Sequence, residues 1–190
     1  ATVEYYTAWG EQSLTTNVVL DPGSWSLDNF GQVLVATIKN GKSFSWSPIA
    51  SVPAALSTRA TLISGAPTAS VMTVVSERDR HLIVLGTETT IGNTATQDKM
   101  FVRFSDQESL TTYSPTSINT AGTLRLDSGT KIVGAAKGKD YILILTDTSA
   151  YIIQFVGPPF TFSVRQVGSN CGAIGMSSIK YIDGKVYWMG

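Results

Sequence analysis

The sequence predicts an all-β protein, on three observations. Ser and Thr supply 44 of the 190 residues and Gly a further 17, a composition that favours strands and turns over helices. No window of eleven or more residues places apolar side chains at i, i+3, i+4 and i+7 without Gly, Pro or β-branched clusters intervening. Short apolar runs bounded by turn residues recur instead.

Those runs are read in order as strands over Gln32–Ile38, Ser43–Trp46, Ser70–Ser76, His81–Thr87, Lys99–Phe104, Lys131–Lys137, Tyr141–Thr146, Ser149–Phe155, Phe160–Gln166 and Ile179–Met189. The last is broken by Asp183-Gly184, the strongest hairpin signal in the chain because both residues tolerate positive φ. The stretches Ser47–Pro67, with three prolines, and Glu88–Asp98, polar with Gly92, read as loops. No linker divides the chain, so residues 1–190 are taken as part of one domain.

A loose repeat runs through these strands. Gln32–Thr37, His81–Thr87 and Tyr141–Asp147 are each nearly continuous apolar strands with a Thr at or near the end. Continuous apolarity implies burial on both faces. Each is followed by a strand with spaced aromatics: Phe44 and Trp46, then Phe101 and Phe104, then Tyr151 and Phe155. The repeat, roughly 50 to 60 residues, is close to that of four-stranded propeller blades. An incomplete β-propeller is the expected architecture, with a β-sandwich as the alternative. A chain that starts at Ala1 and stops within the strand-like KVYWMG reads as a piece of a longer protein.

Charge and composition narrow the chemistry. Fourteen basic residues balance fourteen acidic ones, so no overall basic excess is available to neutralise a run of phosphates. One Cys precludes an internal disulfide or a Cys-rich metal site, and one His precludes multi-His centres. No apolar run approaches the roughly 18 residues of a membrane-spanning helix.

Four segments are candidate chemical sites. Glu77-Arg78-Asp79-Arg80-His81 holds the only His and is the first place to seek acid–base chemistry, but it falls between two apolar strands and reads as a solvated turn. No G-x-S-x-G elbow presents a nucleophile. Ser105–Tyr113 groups Asp106 and Glu108 with hydroxyls but lacks the Gly of a calcium loop, so Asp106 is expected to cap a turn. Cys171, within Gly168–Gly175, reads as a buried small residue in a glycine-bent corner rather than a phosphate cradle. Gly157-Pro158-Pro159-Phe160 is a turn in which a cis peptide is allowed. Trp9, Trp25, Trp46 and Trp188 are assigned to the core rather than to sugar stacking. The sequence therefore names no catalytic residue, no cofactor-binding residue, no metal ligand and no cofactor.

A series of phrases carries a resemblance: Trp25-Ser-Leu-Asp-Asn-Phe-Gly-Gln-Val-Leu34, Lys42-Ser-Phe-Ser-Trp-Ser-Pro48, Arg78–Gly86, Val102–Ser109 with Tyr113-Ser-Pro115, Asn119-Thr-Ala-Gly122, Leu124-Arg-Leu126, Thr146-Asp-Thr148, Tyr151, Gln154-Phe-Val-Gly-Pro-Pro-Phe160, Gly168, Asn170-Cys-Gly172 and Val186-Tyr-Trp-Met-Gly190. In this order they resemble the tail nozzle and packaged-DNA stabilisation proteins of short-tailed bacteriophages. That resemblance implies a propeller joined to further β-domains and a structural role in the virion. It implies a ring of copies, usually six, that meets the tail adaptor and portal, plugs the channel and conducts DNA, touching it transiently. Family members are much longer than 190 residues. Two rival functions are a carbohydrate- or receptor-binding β-module and a carboxylate-dependent glycoside hydrolase or lyase, whose chemistry requires neither His nor Cys.

Overall fold

The computed structural model describes residues 23–47 and 59–190. Trp9 and most of the proline-rich stretch after Ser47 lie outside them. Fourteen strands are described: β1 (Trp25–Phe30), β2 (Val33–Ile38), β3 (Ser43–Trp46), β4 (Thr61–Leu62), β5 (Met72–Ser76), β6 (His81–Leu85), β7 (Phe101–Phe104), β8 (Gly122–Arg125), β9 (Ile132–Lys137), β10 (Ile142–Thr146), β11 (Ser149–Gly157), β12 (Thr161–Ser169), β13 (Lys180–Ile182) and β14 (Lys185–Tyr187). The all-β expectation holds, and the only helical pieces among the described residues are 3₁₀ turns at Thr94–Thr96 and Met176–Ser178.

Three successive four-stranded antiparallel meanders form, β1 to β4, β5 to β8 and β9 to β12, followed by the hairpin β13–β14. These sheets do not close on themselves among the described residues. Each packs face to face on the next, and the alternation of side chains along a strand explains how. On β6, Leu82 and Val84 join Phe30, Val35 and Tyr113 in the layer against the first sheet. Ile83 and Leu85 point the other way, meeting Ile142, Ile144, Ile153 and Phe162 of the third. On β10, Leu143 and Leu145 turn toward Ala173 and Ile179 at the start of the hairpin.

Burial on both faces is thus correct for β6 and β10, all of whose residues are buried, and incorrect for β2, where Leu34, Ala36 and Ile38 are only half-buried. The reason is position, since β2 belongs to the sheet at the end of the stack. The same cause corrects the tryptophans. Trp25 is 49% exposed and Trp188 37% exposed, because both stand on end surfaces rather than between sheets.

Strand β1 is absent from the predicted set because its Asp28 and Asn29 look like turn residues. Its alternation is nevertheless real: Ser26, Asp28 and Phe30 face β5, while Trp25 and Leu27 face outward. Ser26 Oγ accepts from Thr73 N–H at 3.2 Å and Asp28 Oδ2 from Val75 N–H at 2.7 Å. Two backbone donors along the free edge of β5 are thereby satisfied by side chains. Strands β4 and β8 also escape the sequence reading, β4 because it has only two residues and β8 because Gly122-Thr-Leu-Arg125 carries a single large apolar side chain.

The Asp183-Gly184 turn has φ of 48° and 79°, as expected for a two-residue hairpin. Glu88–Asp98 is a loop, as predicted, and the Pro158–Pro159 peptide is cis.

Candidate functional site

The charged segment before β6 is not the solvated turn its composition suggests. Glu77, Arg78 and Arg80 are exposed, but His81 is fully buried and Asp79 nearly so. Arg80, at φ 47°, turns outward to Glu108 at 2.9 Å, and the chain then re-enters the core at His81. The imidazole lies among three phenyl rings, at 5.2 Å from Phe162, 5.8 Å from Phe155 and 6.4 Å from Phe104. It therefore joins the second sheet to the third.

Polar groups on both sides of the ring form one chain. The Ser76 hydroxyl donates to Asp79 Oδ1 at 2.6 Å, and Asp79 Oδ2 lies 2.6 Å from His81 Nδ1. His81 Nε2 lies 2.9 Å from Thr120 Oγ1, which is 2.7 Å from Asp106 Oδ1. Asp79, His81 and Thr120 thus have the connectivity of an acid–imidazole–hydroxyl triad, a constellation the sequence does not reveal because Thr120 stands 39 residues from His81.

Proton counting decides what this chain can do. The Thr120 hydroxyl has one proton and two lone pairs. Gln107 N–H donates to it at 2.9 Å. Its proton goes to the Asp106 carboxylate, which also accepts Thr120 N–H at 2.8 Å, so Nε2 must carry a proton and donate. The hydroxyl has no lone pair left for a substrate, and Nε2 cannot take its proton. Burial opposes ionisation of Asp106, but the Thr120 bonds, the Gln107 backbone and the His81 charge hold its carboxyl below the ordinary range. Asp106 thus spans 14 residues of the β7–β8 connection, where a local turn cap was expected, and fastens that connection to the imidazole.

A second buried cluster went unrecognised in the loop Glu88–Asp98. Glu88 is fully buried and accepts from Thr68 N–H at 2.7 Å, Gly92 N–H at 2.6 Å and the Thr68 hydroxyl at 3.0 Å. Arg103 donates to Thr89 O at 2.8 Å and Tyr113 O at 3.3 Å. Burial lowers the Arg103 pKa, with the Glu88 charge opposing. Arg103 Nε and the Tyr113 hydroxyl have no hydrogen-bond partner among the described residues. The only sequence signal for this clamp was an Arg inside an aromatic strand.

The strands that open each sheet converge on a cavity of about 280 Å³, lined by Trp25 to Asp28, Met72 to Val74, Ala135, Lys137, Met176, Ser177, Ile179 and Lys180. Its one carboxylate, Asp28, is engaged: Lys137 Nζ lies 2.6 Å from Asp28 Oδ1 and 2.7 Å from Glu77 Oε1. Burial opposes the lysine's charge, but these bonds raise its pKa overall. A smaller cavity of about 50 Å³ lies between the turns Ser76–Asp79 and Lys137–Tyr141.

Cys171 is half-buried against the cluster of Leu143, Leu145 and Ala150, less enclosed than expected, and its sulfur takes up the space that a side chain at position 168 would fill. Gly172 does sit in a tight corner, where an added Cβ would collide with the Asp147 carbonyl. Among the described residues no group of three His, Cys, Asp or Glu side chains is placed to hold a metal ion, and no helix is long and apolar enough to cross a membrane. No protein-family model matches the chain, and no curated protein matches it significantly.

Proposed function

We propose that this chain is a structural part of a bacteriophage tail, a component of a multi-copy nozzle that meets the adaptor and portal, plugs the channel and conducts DNA. The observation that carries the reading is the use made of the buried polar groups. Asp79, His81, Thr120 and Asp106 are spent on each other, Glu88 and Arg103 on loop backbone, and Lys137 on tying three sheets together. A scaffold cross-linked in this way suits a part under load from packed DNA. The ordered phrases from Trp25 to Gly190 support the choice of this family over other β-scaffolds, and four-stranded meanders are compatible with its propeller blades. A balanced, sparsely charged surface suits a wall past which a polyanion must slide without being held.

Negative-stain imaging with light-scattering mass on the assembled protein tests this. A hollow ring of several copies is expected, and a stable monomer overturns it. The carbohydrate-binding alternative is favoured by one observation, the half-exposed Trp25 on the rim of the 280 Å³ cavity. Glycan binding by isolated monomers is its signature.

A further inference from the structure

Two loop tips present large apolar side chains to solvent. Ile118, in the β7–β8 connection, is 94% exposed, and Phe160, in the turn between β11 and β12, is 78% exposed, with Val156 just before that turn at 53%. The tips are joined, because the hydroxyl of Thr161, next to Phe160, donates to the carbonyl oxygen of Thr120, two residues beyond Ile118, at 3.2 Å. Both tips and the groups that brace them belong to the described residues.

These side chains are held out rather than left slack. Asn119 fixes the Ile118 loop from two directions, its Oδ1 accepting from Thr116 N–H and its Nδ2 donating to Ser114 O, each at 2.9 Å. Thr161 has φ of 51°, a left-handed conformation that a β-branched residue adopts only against steric strain. Its buried side chain and its bond to Thr120 keep it there. Strain maintained beside an exposed apolar tip points to a use for the tip, and a tip ordered in advance loses little entropy when it binds.

We propose that Ile118 and Phe160 form a lipid-docking site that seats in the interfacial layer of an uncharged bilayer. Size argues for lipid over a folded protein. Wholly covered, the three side chains offer on the order of 400 Å², about half of the roughly 800 Å² per partner in a stable protein interface. A bilayer needs no matching surface and gains from each apolar group that enters it. Charge argues for zwitterionic headgroups. Residues 113–124 and 148–164 contain no Asp, Glu, Lys or Arg, and Glu108 of the same connection is neutralised by Arg80, so no basic cluster addresses an anionic lipid. Each large side chain contributes roughly 10- to 100-fold to partitioning, which makes docking by one copy reversible. In a ring with cyclic symmetry all the tips face one way, and avidity then makes docking firm. Only that last step rests on the multi-copy reading above.

The test is flotation of the full chain with phosphatidylcholine vesicles up to millimolar lipid, with light-scattering mass and a thermal midpoint for every variant. Ile118→Ser and Phe160→Ser probe the tips, and Ile174→Ser, at a 70% exposed position outside both of them, is the control. Wild type is expected to float in proportion to lipid and equally well in about 1 M salt. Each tip variant should lower partitioning roughly 10- to 100-fold with an unchanged midpoint, and the control should leave it unaltered. Wild type that stays with the unbound fraction, or an equal loss in the control, overturns the proposal. Flotation that requires phosphatidylglycerol and disappears in salt overturns it in favour of headgroup electrostatics. A lower light-scattering mass in the tip variants overturns it in favour of a contact between copies. A monomer that floats supports the docking and counts against the multi-copy reading alone, whereas a ring that does not float counts against the docking alone.

Discussion

His81 shows how one residue's role depends on what surrounds it. Its side chain is fully buried between Asp79 and Thr120, so replacing it by an apolar residue strands a carboxylate 2% exposed. His81→Leu is expected to cost about 3–5 kcal/mol, read from urea unfolding midpoints; a loss below 1 kcal/mol would show that Asp79 is not held by the imidazole. Acid acts at other residues. Asp98, Asp106 and Asp147 all lie below the ordinary carboxyl range. Burial opposes this in each, but it is outweighed by hydrogen bonds from Arg125 and Met100, from Thr120 and Gln107, and from Thr130 and Lys131 respectively. Carboxyls lowered in the folded state stabilise it above the unfolded value near 3.9, and that contribution disappears as pH falls through the folded value. The urea midpoint is therefore expected to be level near neutrality and to fall below about pH 4. A midpoint as high at pH 2 as at pH 7 would contradict it.

Strands of similar sequence differ in their energetics according to their place in the stack. Ile83 of β6 is fully buried between two sheets, so Ile83→Ala is expected to cost about 2–5 kcal/mol through lost transfer energy and a cavity. Leu34 of β2, half-buried on an end face, should cost clearly less when truncated. Equal losses at the two sites would mean that the first sheet is covered as fully as the second. At the corner after β12, Gly172→Ala drives a methyl group into the Asp147 backbone. A loss of about 1–3 kcal/mol follows from such overpacking, measurable as a lowered thermal midpoint. The periodicities of β6 and β10 were legible because burial on both faces leaves an unbroken apolar run. Strand β1 was not, because Asp28 is used to satisfy the edge of β5 and so breaks the pattern that marks a strand.

Across the whole molecule, Lys137 is the side chain that ties the three meanders at one rim, bonding Asp28 of the first sheet and Glu77 beside the second from its place at the end of the third. With Lys137 32% and Glu77 74% exposed, water and salt screen the cluster. Lys137→Met is expected to cost about 1 kcal/mol at low salt and much less in 1 M salt. A difference that survives high salt would point to packing of the lysine stem instead.

The sequence by itself determined the all-β class, nearly all the central strands and the closing hairpin, since alternation, continuous apolar runs and Asp-Gly turns are local properties of the chain. It also bounded the chemistry, because a single Cys and a single His cannot build centres that need several. Only the tertiary structure decided which polar residues are buried. Thr120 reaches His81 across 39 residues and Lys137 reaches Asp28 across 109, and no local pattern records contacts made by sheets laid one upon another. The same holds for the tryptophans. Whether an aromatic on a strand is core or surface depends on whether another sheet covers its face, and that is a fact about the stack rather than about the strand.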